Sequence, residues 1–254
     1  TRFKCDWSSD VCSSDLINSA ADLSPTASQL PHLVGLAYAS KLYRELPSLH
    51  AHATGFSSGG DEIVFGTIGE ASCAEGLFWE SVNALGVLQV PALLAIWDDG
   101  YGISVPRSYQ TTKGSISEAM KGLQRNPGTN GIDIYRVKAW DYAGMCEVFE
   151  SAIRKIRETH IPALFHVEEV TQPQGHSTSG SHERYKSPDR LIWEREWDAN
   201  KKMREWILEN ELATDDELLQ IEIECREKVR DARAQAWEKY FAPIRDLIHT
   251  ANEL

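Results

Sequence analysis

Residues 62–71 read EIVFGTIGEA and residues 91–102 read PALLAIWDDGYG. Each is a short apolar run broken by glycine and followed at once by acid. Pro91–Trp97 contains no polar side chain, the composition of a strand buried on both faces of a parallel sheet. Glu62–Gly66 is a shorter strand ending in glycine. Between them, Glu75–Leu88 sets Leu77, Phe78, Val82 and Leu85 on one face of a helix. The alternation continues downstream with a strand over Ile132–Ala139, an amphipathic helix over Tyr142–Thr159 and a strand over Ala163–Val167. Upstream, Pro31–Leu46 has helical spacing with proline in its opening turn. Strands alternating with helices predict an α/β fold, a three-layer α/β/α domain on a mainly parallel, doubly wound sheet. Ligands of such sheets sit at the carboxyl ends of the strands, which places residues 66–71, 98–104 and 171–181 along one rim.

The ends of the chain have a different character. Residues 1–16 are Ser/Asp-rich without helical or strand period, and Asp6–Leu16 (DWSSDVCSSDL) resembles a translated sequencing-library adapter, so this tail is set apart from the fold. Residues 17–190 form the expected core domain. Residues 191–254 form a charged helical extension, with long helical patterns over Arg190–Asn210 and Asp215–Tyr240.

A net charge of −12 over 254 residues argues against a nucleic-acid or anionic-membrane partner, because phosphate backbones require clustered Lys and Arg. No apolar run reaches the length of a membrane span. Five scattered cysteines show neither zinc spacing nor a dense disulfide pattern, which predicts reduced thiols and a cytoplasmic protein.

The two opening stretches also carry chemistry. A strand, a glycine turn and an acid at a helix start let backbone amides approach a diphosphate while the carboxylate binds the Mg²⁺ that bridges its oxygens. If the two strands are neighbours, Glu70 and Asp98 or Asp99 converge on one ion. Alone, Glu70 reads as a helix-dipole charge and Asp98-Asp99-Gly100 as a plain turn. Their spacing favours the metal site. His176, in a Gly/Ser/Thr stretch, reads as a loop histidine of function ahead of a merely solvated one; His166, inside ALFHV, reads as a satisfied core histidine.

GEA, a spacer of about two dozen residues and DDGY together resemble the thiamine-diphosphate motif, usually GDG followed by NN. Four further stretches fall in register with it. AEGLFWESVN (74–83) resembles EG-x-F-x-E-x-x-N, and YGISVP (101–106) resembles Y-x-I-S-x-P. SPTASQLPHLVGLAYASK (24–41) and QGHSTSGSHERYKS (174–187) resemble stretches of branched-chain members. From Ser24 to Lys186 the chain is thus similar to the alpha part of thiamine-diphosphate-dependent 2-oxo acid dehydrogenase E1 components.

The resemblance implies roles position by position. Glu70, Asp99 and the Tyr101 carbonyl would hold Mg²⁺, with Gly69, Ala71 and Ser72 flanking the diphosphate. Ile103 would be the apolar wedge under the cofactor. Ser24 and Thr26 would contact the aminopyrimidine side, and His176 would be the catalytic residue at the mouth. Pro25, Ser28 and Gln29 fall where some branched-chain members hold K⁺, and Ser177 at a position phosphorylated in some members. The activity implied is oxidative decarboxylation of a 2-oxo acid, branched-chain in preference to pyruvate, with acyl transfer to a lipoyl E2 core. An E1 beta portion, separate or fused, would be required, in an alpha2beta2-type assembly, and the chain would be a fragment inactive without it. Glu70 for Asp, Asp98-Asp99 for Asn-Asn, Ala71 for Gly and Gln172 for Arg depart from the pattern. A transketolase-like sugar enzyme and a non-catalytic scaffold relative are the alternatives.

Overall fold

The computed structural model describes residues 25–50, 57–176 and 182–252; the expected N-terminal tail, Ser24 and Ser177 lie outside them. The main elements are α1 (Gln29–Glu45), β1 (Val64–Gly69), α2 (Gly76–Leu88), β2 (Ala92–Trp97), β3 (Asp133–Lys138), α3 (Tyr142–Thr159), β4 (Ala163–Glu168), α4 (Pro188–Glu196), α5 (Ala199–Glu209) and α6 (Asp215–Asn252). The four strands form one sheet in the order β1-β2-β4-β3, parallel throughout.

Alternation along the strands builds the three layers. Leu94 and Ile96 of β2 and Leu164 of β4 point to one face, where they meet Leu30, Leu33 and Ala37 of α1 and Phe78, Val82 and Leu85 of α2. Leu93, Ala95, Phe165 and Val167 point to the other, against Ala152 and Ile156 of α3. Phe165 is stacked on Tyr135 at 4.9 Å and tilted against Phe149 at 3.9 Å. The expected α/β/α arrangement is therefore present, with every central-strand residue from Ala92 to Ile96 buried.

Element ends differ from the sequence expectation for identifiable reasons. β1 runs through Gly66 to Gly69 instead of stopping at Gly66. A Cβ at Gly66 would lie 2.2 Å from Leu33 Cδ1, so this glycine serves close helix–strand approach and the turn begins three residues later. α1 begins at Gln29, two residues before Pro31; proline is tolerated in the first turn, where backbone N–H groups have no intrahelical acceptor. The single helix expected over Arg190–Asn210 is two. Ser187 caps α4 by accepting from the Arg190 N–H, Pro188 opens it, and Trp197 closes it. α6 continues to Asn252 through Pro243.

By contact density the chain divides into two compact units, one ending at Ala199 and the other beginning at Asn200. Within the second, Arg204 bonds Asp215 and Glu222 on α6. Among the described residues no helix is long and apolar enough to cross a membrane, and Cys73, Cys146 and Cys225 are unpaired.

Phe165 is fully buried between two aromatic rings. Phe165→Ala is expected to lower stability by about 3–5 kcal/mol in urea unfolding, whereas Phe65→Ala, at a position 55% exposed on the edge strand, should cost much less.

Candidate metal and diphosphate site

Register brings the acidic turns together. Gly69 at the end of β1 pairs with Trp97 at the end of β2, so Glu70 and Asp98 leave neighbouring strand ends side by side. Glu70 opens a 3-10 turn over Glu70–Ala74 and is 2% exposed. Its Oε1 accepts from the Thr111 hydroxyl. Its Oε2 is buried and bonds nothing among the described residues. Burial pushes the Glu70 carboxyl up, against the lowering effect of the Thr111 hydrogen bond. A buried carboxylate oxygen without a donor is unfavourable unless a proton or a cation occupies the place of the missing partner.

Asp98 and Asp99 face different tasks. Asp98 is 1% exposed and both its oxygens are engaged. Oδ1 accepts from the Gly100 N–H at 2.7 Å. Oδ2 accepts from Arg107 and, at 2.9 Å, from His166 Nε2. Because a carboxylate only accepts, Nε2 carries the proton, and Nδ1 faces the Ser117 hydroxyl at 2.9 Å. His166 is thus a core histidine satisfied at both nitrogens. Burial pushes the Asp98 carboxyl up, but the His166 hydrogen bond and the Arg107 guanidinium outweigh it and hold Asp98 below its ordinary value. Both Asp98 oxygens thus already accept hydrogen bonds, which leaves Asp99 as the aspartate better suited to face an ion.

Asp99 is half-buried. Its Oδ1 accepts from the Tyr101 N–H at 3.1 Å and its carbonyl from Arg190 Nη2 at 2.8 Å. Burial pushes its carboxyl up, opposed by the Tyr101 N–H and the Lys186 charge. Tyr101 and Gly102 pair with Val105 and Pro106 in a small hairpin. A Cβ at Gly102 would lie 2.8 Å from Ala71 Cβ, so the hairpin rests directly on the turn that carries Glu70. Gly69–Ser72 and Asp99–Gly102 therefore form one junction. At the tip of the hairpin Ile103 has φ +59° and is 63% exposed. A β-branched residue in the left-handed region is strained, and such strain concentrates at functional positions.

The remaining candidates lie around this junction. Thr26 is exposed in the turn before α1, which Gln29 ties to β1 by donating to the Thr67 carbonyl at 3.2 Å. No hydrogen bond among the described residues joins Thr26 to Glu70 or Asp99. Pro25 and Ser28 bond each other, the Ser28 hydroxyl donating to the Pro25 carbonyl at 2.6 Å. His176 is exposed. Its backbone N–H bonds the Tyr185 hydroxyl, and the Tyr185 ring lies 5.7 Å from that of Tyr101. Beneath Tyr101, buried Glu194 accepts from Lys186 at 2.7 Å and from Arg190 at 2.9 Å, so the Asp99 turn is braced from α4.

Arg107, Thr111, Lys186 and Arg190 were not legible as site residues. One signal was present: Arg107 is the single Lys or Arg between Arg44 and Lys113. Among the described residues no three His, Cys, Asp or Glu side chains gather as a metal-binding group; the junction offers two carboxylates and a backbone carbonyl.

A family model described as "Dehydrogenase E1 component" matches residues 20–245, and the chain belongs to that family. The mouse mitochondrial 2-oxoisovalerate dehydrogenase subunit alpha is 28% identical over 218 residues, 85% of this chain and 44% of that protein. The pyruvate dehydrogenase E1 component subunit alpha of Rickettsia bellii is 26% identical over 206 residues, 80% of this chain and 55% of that protein. The chain thus spans about half the length of these relatives. A transketolase structure from Leishmania mexicana superposes with a TM-score of 0.40 at 16% identity, covering 58% of this chain and 20% of that one.

Because Asp98 is held below its ordinary value, its contribution to stability is fully present above the unfolded carboxylate pKa of about 3.9 and is lost as pH falls through the lower folded value. Asp98→Ala leaves His166 and Arg107 without their shared acceptor and is expected to cost about 3–5 kcal/mol at pH 7. Urea unfolding at pH 7 and pH 3 checks this; the gap between variant and wild type should narrow in acid.

Proposed function

We propose that this member of the dehydrogenase E1 component family is the alpha part of a thiamine-diphosphate-dependent 2-oxo acid dehydrogenase E1. It would hold the diphosphate end of the cofactor through Mg²⁺ on Glu70, Asp99 and the Tyr101 carbonyl. The observation that carries this reading is the buried, unpartnered Oε2 of Glu70 at the end of β1, next to the end of β2 that leads into Asp99. Oxygen ligands of this kind suit Mg²⁺, which keeps water and phosphate oxygens for its other positions. When bound, thiamine diphosphate supplies the carbon nucleophile that allows a 2-oxo acid to lose CO₂.

The chain's own residues act around that chemistry. Gly69, Ala71 and Ser72 keep the backbone low beside the diphosphate. Asp98 carries the extra negative charge of the acidic pair, and Arg107 offsets it, so the charge does not oppose the cofactor. Ile103, strained and exposed, presents an apolar surface to the cofactor's bend. Ser24 and Thr26 contribute to the aminopyrimidine side. His176 would stand at the mouth, where it orders the loop and assists acyl transfer. Pro25, Ser28 and Gln29 form a turn suited to a structural K⁺.

Turnover requires a beta-type portion and a lipoyl E2 acceptor, in an alpha2beta2-type assembly in a reducing, cytoplasmic setting. The substrate reading is a branched-chain 2-oxo acid, favoured over pyruvate by SPTASQ, Glu70 and the HSTS stretch.

Calorimetric titration of thiamine diphosphate into the chain with its beta-type partner tests the assignment. Binding should require Mg²⁺, disappear with chelator and be lost in Asp99→Ala. With a lipoyl acceptor, 3-methyl-2-oxobutanoate should be used with higher kcat/KM than pyruvate. Acceptance of a ketose phosphate in place of any 2-oxo acid would refute the reading.

A further inference from the structure

The turns that leave the neighbouring ends of β1 and β2 carry three acidic residues, Glu70, Asp98 and Asp99, and a diphosphate brought there adds more negative charge than one Mg²⁺ cancels. The cations near them are unequally available. Lys186 is 4% exposed and closed against Glu194. Arg190 bonds both Glu194 and the Asp99 carbonyl. Arg107 is different: its side chain is 38% exposed while the carboxylate it bonds is wholly buried.

The backbone fixes where Arg107 stands. Its N–H donates to the Gly100 carbonyl at 2.9 Å, and its own carbonyl accepts from Gln110 and Thr111 at 2.9 and 2.8 Å. Thr111 in turn bonds Glu70. Arg107 therefore belongs to a short segment clamped at one end to the Asp98–Gly100 turn and at the other to the Glu70 turn. Nη1 donates to Asp98 Oδ2, and among the described residues no acceptor engages Nε or Nη2. A guanidinium carries five donors in a rigid plane, so one edge can be anchored while the other grips a second anion.

We propose that Arg107 is a diphosphate-binding residue of this site, anchored through Nη1 on Asp98 and presenting its other edge to the phosphate oxygens. The proposal rests on the metal and diphosphate reading above. It gives the Asp98–Arg107 pair a second task beyond charge balance: the buried carboxylate aims the guanidinium. Lysine at 107 could not perform both tasks, because a single ammonium is a point donor without the fork.

The test uses the chain in complex with its beta-type partner and titrates thiamine diphosphate with Mg²⁺ by calorimetry. Asp98→Asn/Arg107→Gln removes both charges together and so leaves no buried charge unpaired. Its affinity for thiamine diphosphate should fall about tenfold or more, while binding of Mn²⁺ alone, followed by electron paramagnetic resonance, should stay at the wild-type level. Wild-type affinity in the double variant would overturn the proposal. Should the double variant not fold, Arg107→Lys carries the test: affinity reduced about threefold or more supports the fork, and unchanged affinity overturns it. Absence of any Mg²⁺-dependent binding by the wild-type complex would overturn the functional reading and this inference with it. Loss in Asp99→Ala with no loss in either Arg107 variant would overturn the inference alone.

Discussion

The rim of this domain is organised around a buried carboxylate at the end of the central strand. Asp98 accepts from the Gly100 N–H, from Arg107 and from His166. Its backbone closes the seam to β4, its N–H donating to the Val167 carbonyl at 2.9 Å and its carbonyl accepting from the Val170 N–H at 3.0 Å. One residue thereby joins the end of β2, the end of β4 and the segment that crosses above them. Removing a charge of this kind from water is unfavourable unless every lone pair finds a donor, and here the donors come from three separate stretches of chain. The shape of the Asp99–Gly102 turn follows from satisfying Asp98.

That constraint divides labour between adjacent acids. Asp98 is structural because both its oxygens accept hydrogen bonds; Asp99, one residue on, has its carboxyl held above its ordinary value by burial. Glu70, from the neighbouring strand, is also buried but keeps one oxygen without a partner. A hydrogen-bonded carboxylate thus anchors the turn that carries Asp99, beside the strand end that leads to Glu70. The buried Lys186–Glu194 pair and Arg190 do the same from below, bracing Tyr101 and the Asp99 carbonyl.

The sheet was readable because its signals are local. Pro91–Trp97 could be nothing but a buried strand, and the apolar faces of Glu75–Leu88 and Tyr142–Thr159 have helical period, so layers and direction followed. Gly66 misled as a strand end, since its purpose is contact with Leu33 from another element, which no local pattern reveals. Trp197 ended a helix whose charge pattern ran on. At the site, Glu70 and Asp99 stood out as acids after glycine-bounded strands, and strand adjacency brought their turns together. Arg107 and Thr111 did not, because their importance arises from a hairpin that folds them back over Glu70. The role of Asp98 was equally hidden: its partner His166 lies on β4, far along the chain, and is itself held by Ser117 from the segment preceding β3.

The unpartnered Glu70 Oε2 is the feature on which the account turns, and melting measurements on wild type and Glu70→Gln address it most directly. With chelator present, the neutral side chain should make the variant more stable than wild type, by about 1–3 kcal/mol. Saturating Mg²⁺ with thiamine diphosphate should then raise the melting temperature of wild type and not of the variant. A variant less stable than wild type in chelator, or one that gains as much from the metal and cofactor, would contradict the assignment of Glu70 as a metal ligand.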